Sequence, residues 1–66
     1  MTFGERLYEL RYDKRISQAK LANVISMNQG TISSYEKGEI QPTAPVIIAL
    51  AKYFGVSSDY LLGLED

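Results

Sequence analysis

The chain contains no cysteine, no histidine and no tryptophan. Without thiols no disulfide can staple it. Without imidazole or thiolate, a structural zinc site would have to be built from carboxylates alone, which zinc seldom accepts. The same absences remove the usual nucleophile and base pairs, so no catalytic residue, metal site or cofactor site can be named, and enzymatic chemistry is not expected. Long apolar runs are missing too: none approaches the roughly 20 residues of a membrane helix, and no basic-then-apolar leader opens the chain. A soluble intracellular protein, with no membrane partner and no small-molecule substrate, is the expectation. Net charge is nearly absent at −1, but it is uneven. All seven cations lie in residues 1–52 with five carboxylates, a local balance of +2, while Asp59, Glu65 and Asp66 gather at the end.

What is present is a helical pattern. With 66 residues, 45% of them hydrophobic, the chain has the size of one small domain over residues 1–66 with a short acidic tail at 64–66. Thr2-Phe3-Gly4-Glu5 has the form of a capping box, and Phe3, Leu7, Leu10 and Arg11 follow at helical spacing, predicting a helix over about 3–13. Ser17 is a good N-cap for a second helix whose inward face would be Leu21, Ala22, Val24 and Ile25. Ser26-Met27-Asn28 reads as a turn, with Asn28 capping a third helix that buries Ile32 and Tyr35 and stops at Gly38. Ile40 is expected to dip inward from the next loop. Thr43 would cap a fourth helix, with Pro45 harmless in its first turn. That helix would face the core through Ala44, Ile47, Leu50, Ala51 and Phe54 and end at Gly55. Ser57 caps a short fifth helix ended by Gly63. The fold class is therefore all-α, with five short helices.

These residues together resemble the Cro/repressor-type (XRE-like) helix-turn-helix domain of lambda-like phage repressors and small bacterial regulators. The carriers are Leu7 and Leu10 with Arg11, Ile16-Ser17-Gln18 with Leu21-Ala22, and Thr31-Ile32-Ser33 with Tyr35-Glu36-Lys37-Gly38. Pro42, Leu50-Ala51, Phe54-Gly55-Val56-Ser57 and Tyr60-Leu61-Leu62-Gly63 complete the match, which covers residues 3–63. The resemblance implies a compact five-helix lambda-repressor-like domain with the helix-turn-helix at helices two and three. Its partner would be double-stranded DNA, in a bacterial cytoplasm or nucleoid.

In such a domain the third helix enters the major groove. Gln29 is then the leading base reader, because its amide can pair bidentately with adenine N6 and N7. Thr31, Ser34 and Asn28 are candidates for further base contacts, while Gly30 supplies no side chain. Gln18, assisted by Ser17, would clamp a phosphate at the electropositive start of helix two, as the family's Gln does there. Lys37, Gln41 and Thr43 would form a second phosphate anchor. The resemblance also implies an ion pair between Arg11 and Glu36 that orients the reading helix. Helix four carries a second apolar stripe, Val46, Ala49 and Tyr53, expected to be exposed and to form with Tyr60 and Leu64 a homodimer contact. The expected function is a repressor binding a palindromic operator as a homodimer. The alternatives are an antitoxin or control-type regulator answering to a protein partner, and an interaction module that has lost DNA binding.

Overall fold

The computed structural model describes residues 1–65. Asp66, part of the anticipated acidic tail, lies outside them. Five helices follow one another: α1 Phe3–Lys14, α2 Gln18–Val24, α3 Gln29–Lys37, α4 Ala44–Phe54 and α5 Ser58–Leu61. No strand occurs among the described residues.

Local chemistry sets most of the helix starts. The capping box at Thr2 is closed in both directions, Glu5 N donating to Thr2 Oγ1 at 3.1 Å and Thr2 N to Glu5 Oε1 at 2.9 Å. Ser17, Asn28 and Ser57 each accept from the backbone N–H three residues on. Thr43 differs: it occupies the N-cap position of α4 but makes no side-chain cap bond. Helix ends follow the glycine rule at Gly38, whose φ of 78° lets the chain leave α3 in a left-handed turn. Two stops have no glycine. Arg15 after α1 and Ser26 after α2 both sit at φ 59°, a left-handed conformation that side chains rarely adopt.

The core is shared evenly. Leu7, Leu21, Ile32, Leu50 and Leu61, one from each helix, are wholly buried. Phe3 meets Tyr35 edge-on with ring centroids 5.7 Å apart, a favoured aromatic geometry. Helix α1 approaches α3 closely at Gly4, where an added Cβ would lie 2.5 Å from the Tyr35 carbonyl oxygen.

Three expected core positions are exposed instead. Val24 is exposed, because it lies about 200° round the helix from the buried Ala22. Ile40 is exposed as well, since the chain leaves the Gly38 stop toward solvent. Ala44, the first residue of α4, is exposed, whereas Ile47, Leu50, Ala51 and Phe54 face the core as expected. Conversely, Val46 and Tyr53 of the stripe expected outside are partly buried against the core. The core therefore covers part of that stripe in addition to the expected face, leaving Ile48 as the exposed aliphatic of α4 at 51%.

Candidate nucleic-acid interface

Helix α3 begins immediately after the turn that follows α2, and a backbone bond from Met27 N to Ala22 O at 2.8 Å ties that turn to α2. The buried edge of α3, Ile32 and Tyr35, fixes its rotation, so Gln29 and Gly30 lie on its exposed side. Behind Gln29 stands a chain of polar side chains. Arg11 donates through Nε to Glu36 Oε2 at 2.7 Å and through Nη2 to Glu36 Oε1 at 3.0 Å, a bidentate pair. Gln18 Nε2 donates to the same Glu36 Oε1 at 3.0 Å, and Gln29 Nε2 donates to Gln18 Oε1 at 3.3 Å.

The direction of this relay follows from its inner end. An ionised carboxylate can only accept, so Gln18 must turn its NH₂ toward Glu36 and its carbonyl toward Gln29. Gln29 in turn must offer an N–H to that carbonyl, which leaves its own carbonyl and its second N–H facing outward. The pair is shielded, with side-chain exposures of 15% for Arg11 and 7% for Glu36. The hydrogen bonds to Glu36 push the Arg11 pKa above its ordinary value, against the opposing pull of burial. Arg11 also donates through Nη1 to the Ile16 carbonyl at 3.0 Å, which anchors the connection into α2. The Arg11–Glu36 pair, Gln18 and Gln29, given three separate tasks from the sequence, thus form one unit.

The other named residues are arranged more loosely. Asn28 Oδ1 accepts from Thr31 N at 2.9 Å and from Thr31 Oγ1 at 3.0 Å, so both side chains take part in the cap of α3. Asn28 keeps its NH₂ and Thr31 its methyl group for other contacts. Ser34 is half-buried on α3, and Ser17 Oγ is engaged by Lys20 N. Lys37 and Gln41 are exposed and line, with Thr2, Gly4 and Glu5, a depression of about 400 Å³ at the start of α1. Thr43, lacking a cap bond, keeps its hydroxyl uncommitted beside the first-turn N–H groups of α4.

The residues proposed for a dimer contact do not form one open stripe. Val46 and Ala49 line a cleft of about 220 Å³ with Ile25, Met27 and Pro45. Tyr53 packs edge-on against Phe54 and carries the Lys14 ammonium 4.9 Å from its ring. Tyr60 lies beneath the Arg6 guanidinium at 3.8 Å, and Leu64 is 73% exposed.

Arg6 was not anticipated. It is 5% exposed and donates through Nη1 to the Tyr60 carbonyl at 2.9 Å, which fixes α5 to α1. Its spacing from Phe3 and Leu10 matches the apolar face of α1, and that is the signal by which it could have been found. No group of acids able to hold a metal ion occurs among the described residues. No helix there is long and apolar enough to cross a membrane.

A family model described as helix-turn-helix matches residues 7–61. The chain is 30% identical over 66 residues to the HTH-type transcriptional regulator ImmR of Bacillus subtilis, all of this chain and 52% of that protein. It is 36% identical over 59 residues to repressor protein C2 of Salmonella phage P22, 89% of this chain and 27% of that protein. It therefore spans about half or less of the length of these curated relatives. The crystal structure of the P22 c2 repressor in complex with a synthetic operator superposes with a TM-score of 0.92 at 32% identity, covering 98% of both chains. The restriction-modification controller protein C.AhdI of Aeromonas hydrophila superposes with a TM-score of 0.81 at 30% identity, covering 89% of this chain and 86% of that one. With the family pattern matched across α1 to α5, this chain belongs to the Cro/repressor-type helix-turn-helix family, a family of DNA-binding regulators and not of enzymes.

Proposed function

We propose that the chain is the operator-reading domain of a cytoplasmic transcriptional repressor that binds a palindromic site in double-stranded DNA as a homodimer. One observation carries this reading: the relay from Arg11 through Glu36 and Gln18 presents Gln29 with its carbonyl and one N–H directed outward. That pair of groups complements adenine, the carbonyl accepting from N6 and the N–H donating to N7. Gln18 retains a second N–H, which can reach a backbone phosphate next to the base that Gln29 reads. Asn28 through its NH₂, Thr31 through its methyl and Ser34 through its hydroxyl flank that contact. Ser17, Lys37, Gln41 and Thr43 supply phosphate contacts on either side.

The likeness to a repressor solved on operator DNA supports the same assignment. The dimer rests on Val46, Ala49, Tyr53, Tyr60 and Leu64, of which Leu64 is the most open. The molecule is 21–27 Å across, a width that suits two copies side by side with reading helices about 34 Å apart on the duplex. Selection of bound sequences from random duplex DNA tests this directly. The expected product is an inverted repeat with an adenine in each half-site that Gln29→Ala ceases to require. Recovery of unrelated sequences, or retention with no dependence on salt, would overturn the assignment.

A further inference from the structure

We propose that the outer face of α1 is a docking site for an arginine-bearing basic segment of a partner protein. Two columns run along that face. Glu5, Glu9 and Asp13 recur every four residues, and Tyr8 and Tyr12 recur beside them at the same interval, about 6 Å per step. The two tyrosines are 47% and 68% exposed, and their rings stack at 6.1 Å with an interplanar angle of 21°. Together with Met1, Glu5, Glu9 and Glu36 they line an open depression of about 420 Å³.

The chemistry of the occupant follows from what the other tyrosines do. Tyr60 holds Arg6 over its ring, Tyr53 holds Lys14 and Tyr8 holds Arg11, while Tyr35 is buried. Tyr12, the most exposed aromatic, carries no cation over its ring among the described residues. Arg11 and Arg15 border it on the side of a second depression, so an incoming cation must approach from the side of Glu5 and Glu9. Glu5 has one oxygen in the α1 cap, and Glu9 stands 4.0 Å from Arg6 with 45% of its side chain exposed, so both retain acceptor capacity outward. A planar guanidinium satisfies both columns at once, stacking on Tyr12 and pairing with Glu9. An ammonium does this less well.

The test is titration of the isotope-labelled chain with a blocked hexa-arginine peptide, read by amide and tyrosine ring chemical shifts. Shifts should cluster from Glu5 to Asp13. Tyr12→Ala should weaken binding about fivefold and Glu9→Gln about two- to threefold. Hexa-lysine should bind more weakly than hexa-arginine. Asp59→Asn removes the same charge from an acid outside this depression and should change nothing. Tyr12 is exposed enough that its variant should keep the native amide spectrum, and Glu9→Gln provides an independent reading. Shifts centred elsewhere, equal losses in Asp59→Asn and Glu9→Gln, or an unaffected Tyr12→Ala would overturn the proposal. Concentration-dependent shifts of the same residues without peptide would mean that a second copy occupies the face, which also overturns it.

Discussion

Glu36 is the residue on which most of the proposed interface depends, although its side chain is only 7% exposed. It accepts from Arg11 twice and from Gln18 once. Glu36→Gln leaves Arg11 half-buried without a counter-charge and removes the acceptor-only group that fixes both amides. We expect a stability loss of about 1.5–3 kcal/mol in urea unfolding, the range for hydrogen bonds to charged groups. Operator affinity should fall as well, though Glu36 is screened from the duplex by Gln18. Gln29→Ala should behave differently. Folding should be unchanged because Gln29 is exposed, while cognate binding weakens by about 1–3 kcal/mol and specificity relaxes at one base pair. Competition between the selected site and singly substituted sites separates the two outcomes.

Helix α1 is held by its start and by its closest approach, and each has a measurable signature. The Thr2 backbone N–H, then its hydroxyl, hold the Glu5 carboxyl below its ordinary pKa of 4.5. Since the folded value lies below the unfolded one, the cap stabilises the protein above pH 4.5, and that stabilisation is lost as the pH falls through the lowered folded value. Thermal unfolding between pH 7 and pH 3 should show this loss, and Glu5→Gln should flatten it. At Gly4 helix propensity and packing oppose each other. Alanine gains about 1 kcal/mol of propensity, but its Cβ would meet the carbonyls of Tyr35 and Glu36 at 2.5 and 2.7 Å. Those are backbone carbonyls fixed within α3 and cannot swing aside, so overpacking of about 1–3 kcal/mol should win. Gly4→Ala should therefore lower the melting temperature and separate α1 from α3, which circular dichroism melting and the shift of the Phe3 ring resonance would both register.

The charge of the whole molecule limits how strongly one copy can hold DNA. Of its seven cations, Arg6 is buried against Tyr60, Arg11 is bound to Glu36, and Lys14 leans over Tyr53. With Lys20 and Lys37 the cations nearest the proposed interface, each domain should neutralise two or three phosphates. The logarithm of affinity should then fall against that of salt with a slope of about −2 to −3 per protomer. Modest affinity per copy is what gives the proposed homodimer its weight. Leu64 and Ile48 are the open aliphatics on the side of α4, α5 and the segment after it. Leu64→Glu should shift the population toward monomer in sedimentation velocity and weaken operator binding without lowering thermal stability. A shift absent from Leu64→Glu and present in Ile48→Glu would move the contact toward the start of α4.

The helix order, the caps at Thr2, Ser17, Asn28 and Ser57 and the stop at Gly38 were legible in the sequence, because each depends on hydrogen bonds within three or four residues. So was which side of α3 stays exposed at Gln29 and Gly30, since the rotation of α3 follows from burying Ile32 and Tyr35. What the sequence could not settle involves partners far apart along the chain. The seating of α4, with Val46 and Tyr53 covered as well as the expected face and Ile48 left out, depends on how that helix packs on the body, because both of its faces are apolar. The burial of Arg6 needs a carbonyl 54 residues away. The relay that turns Gln18 from a lone phosphate clamp into the support of Gln29 exists only because α1, α2 and α3 converge on one carboxylate. Local hydrogen bonding and periodicity determined which helices form. Tertiary packing decided which of their polar groups meet, because those contacts join elements that no local pattern connects.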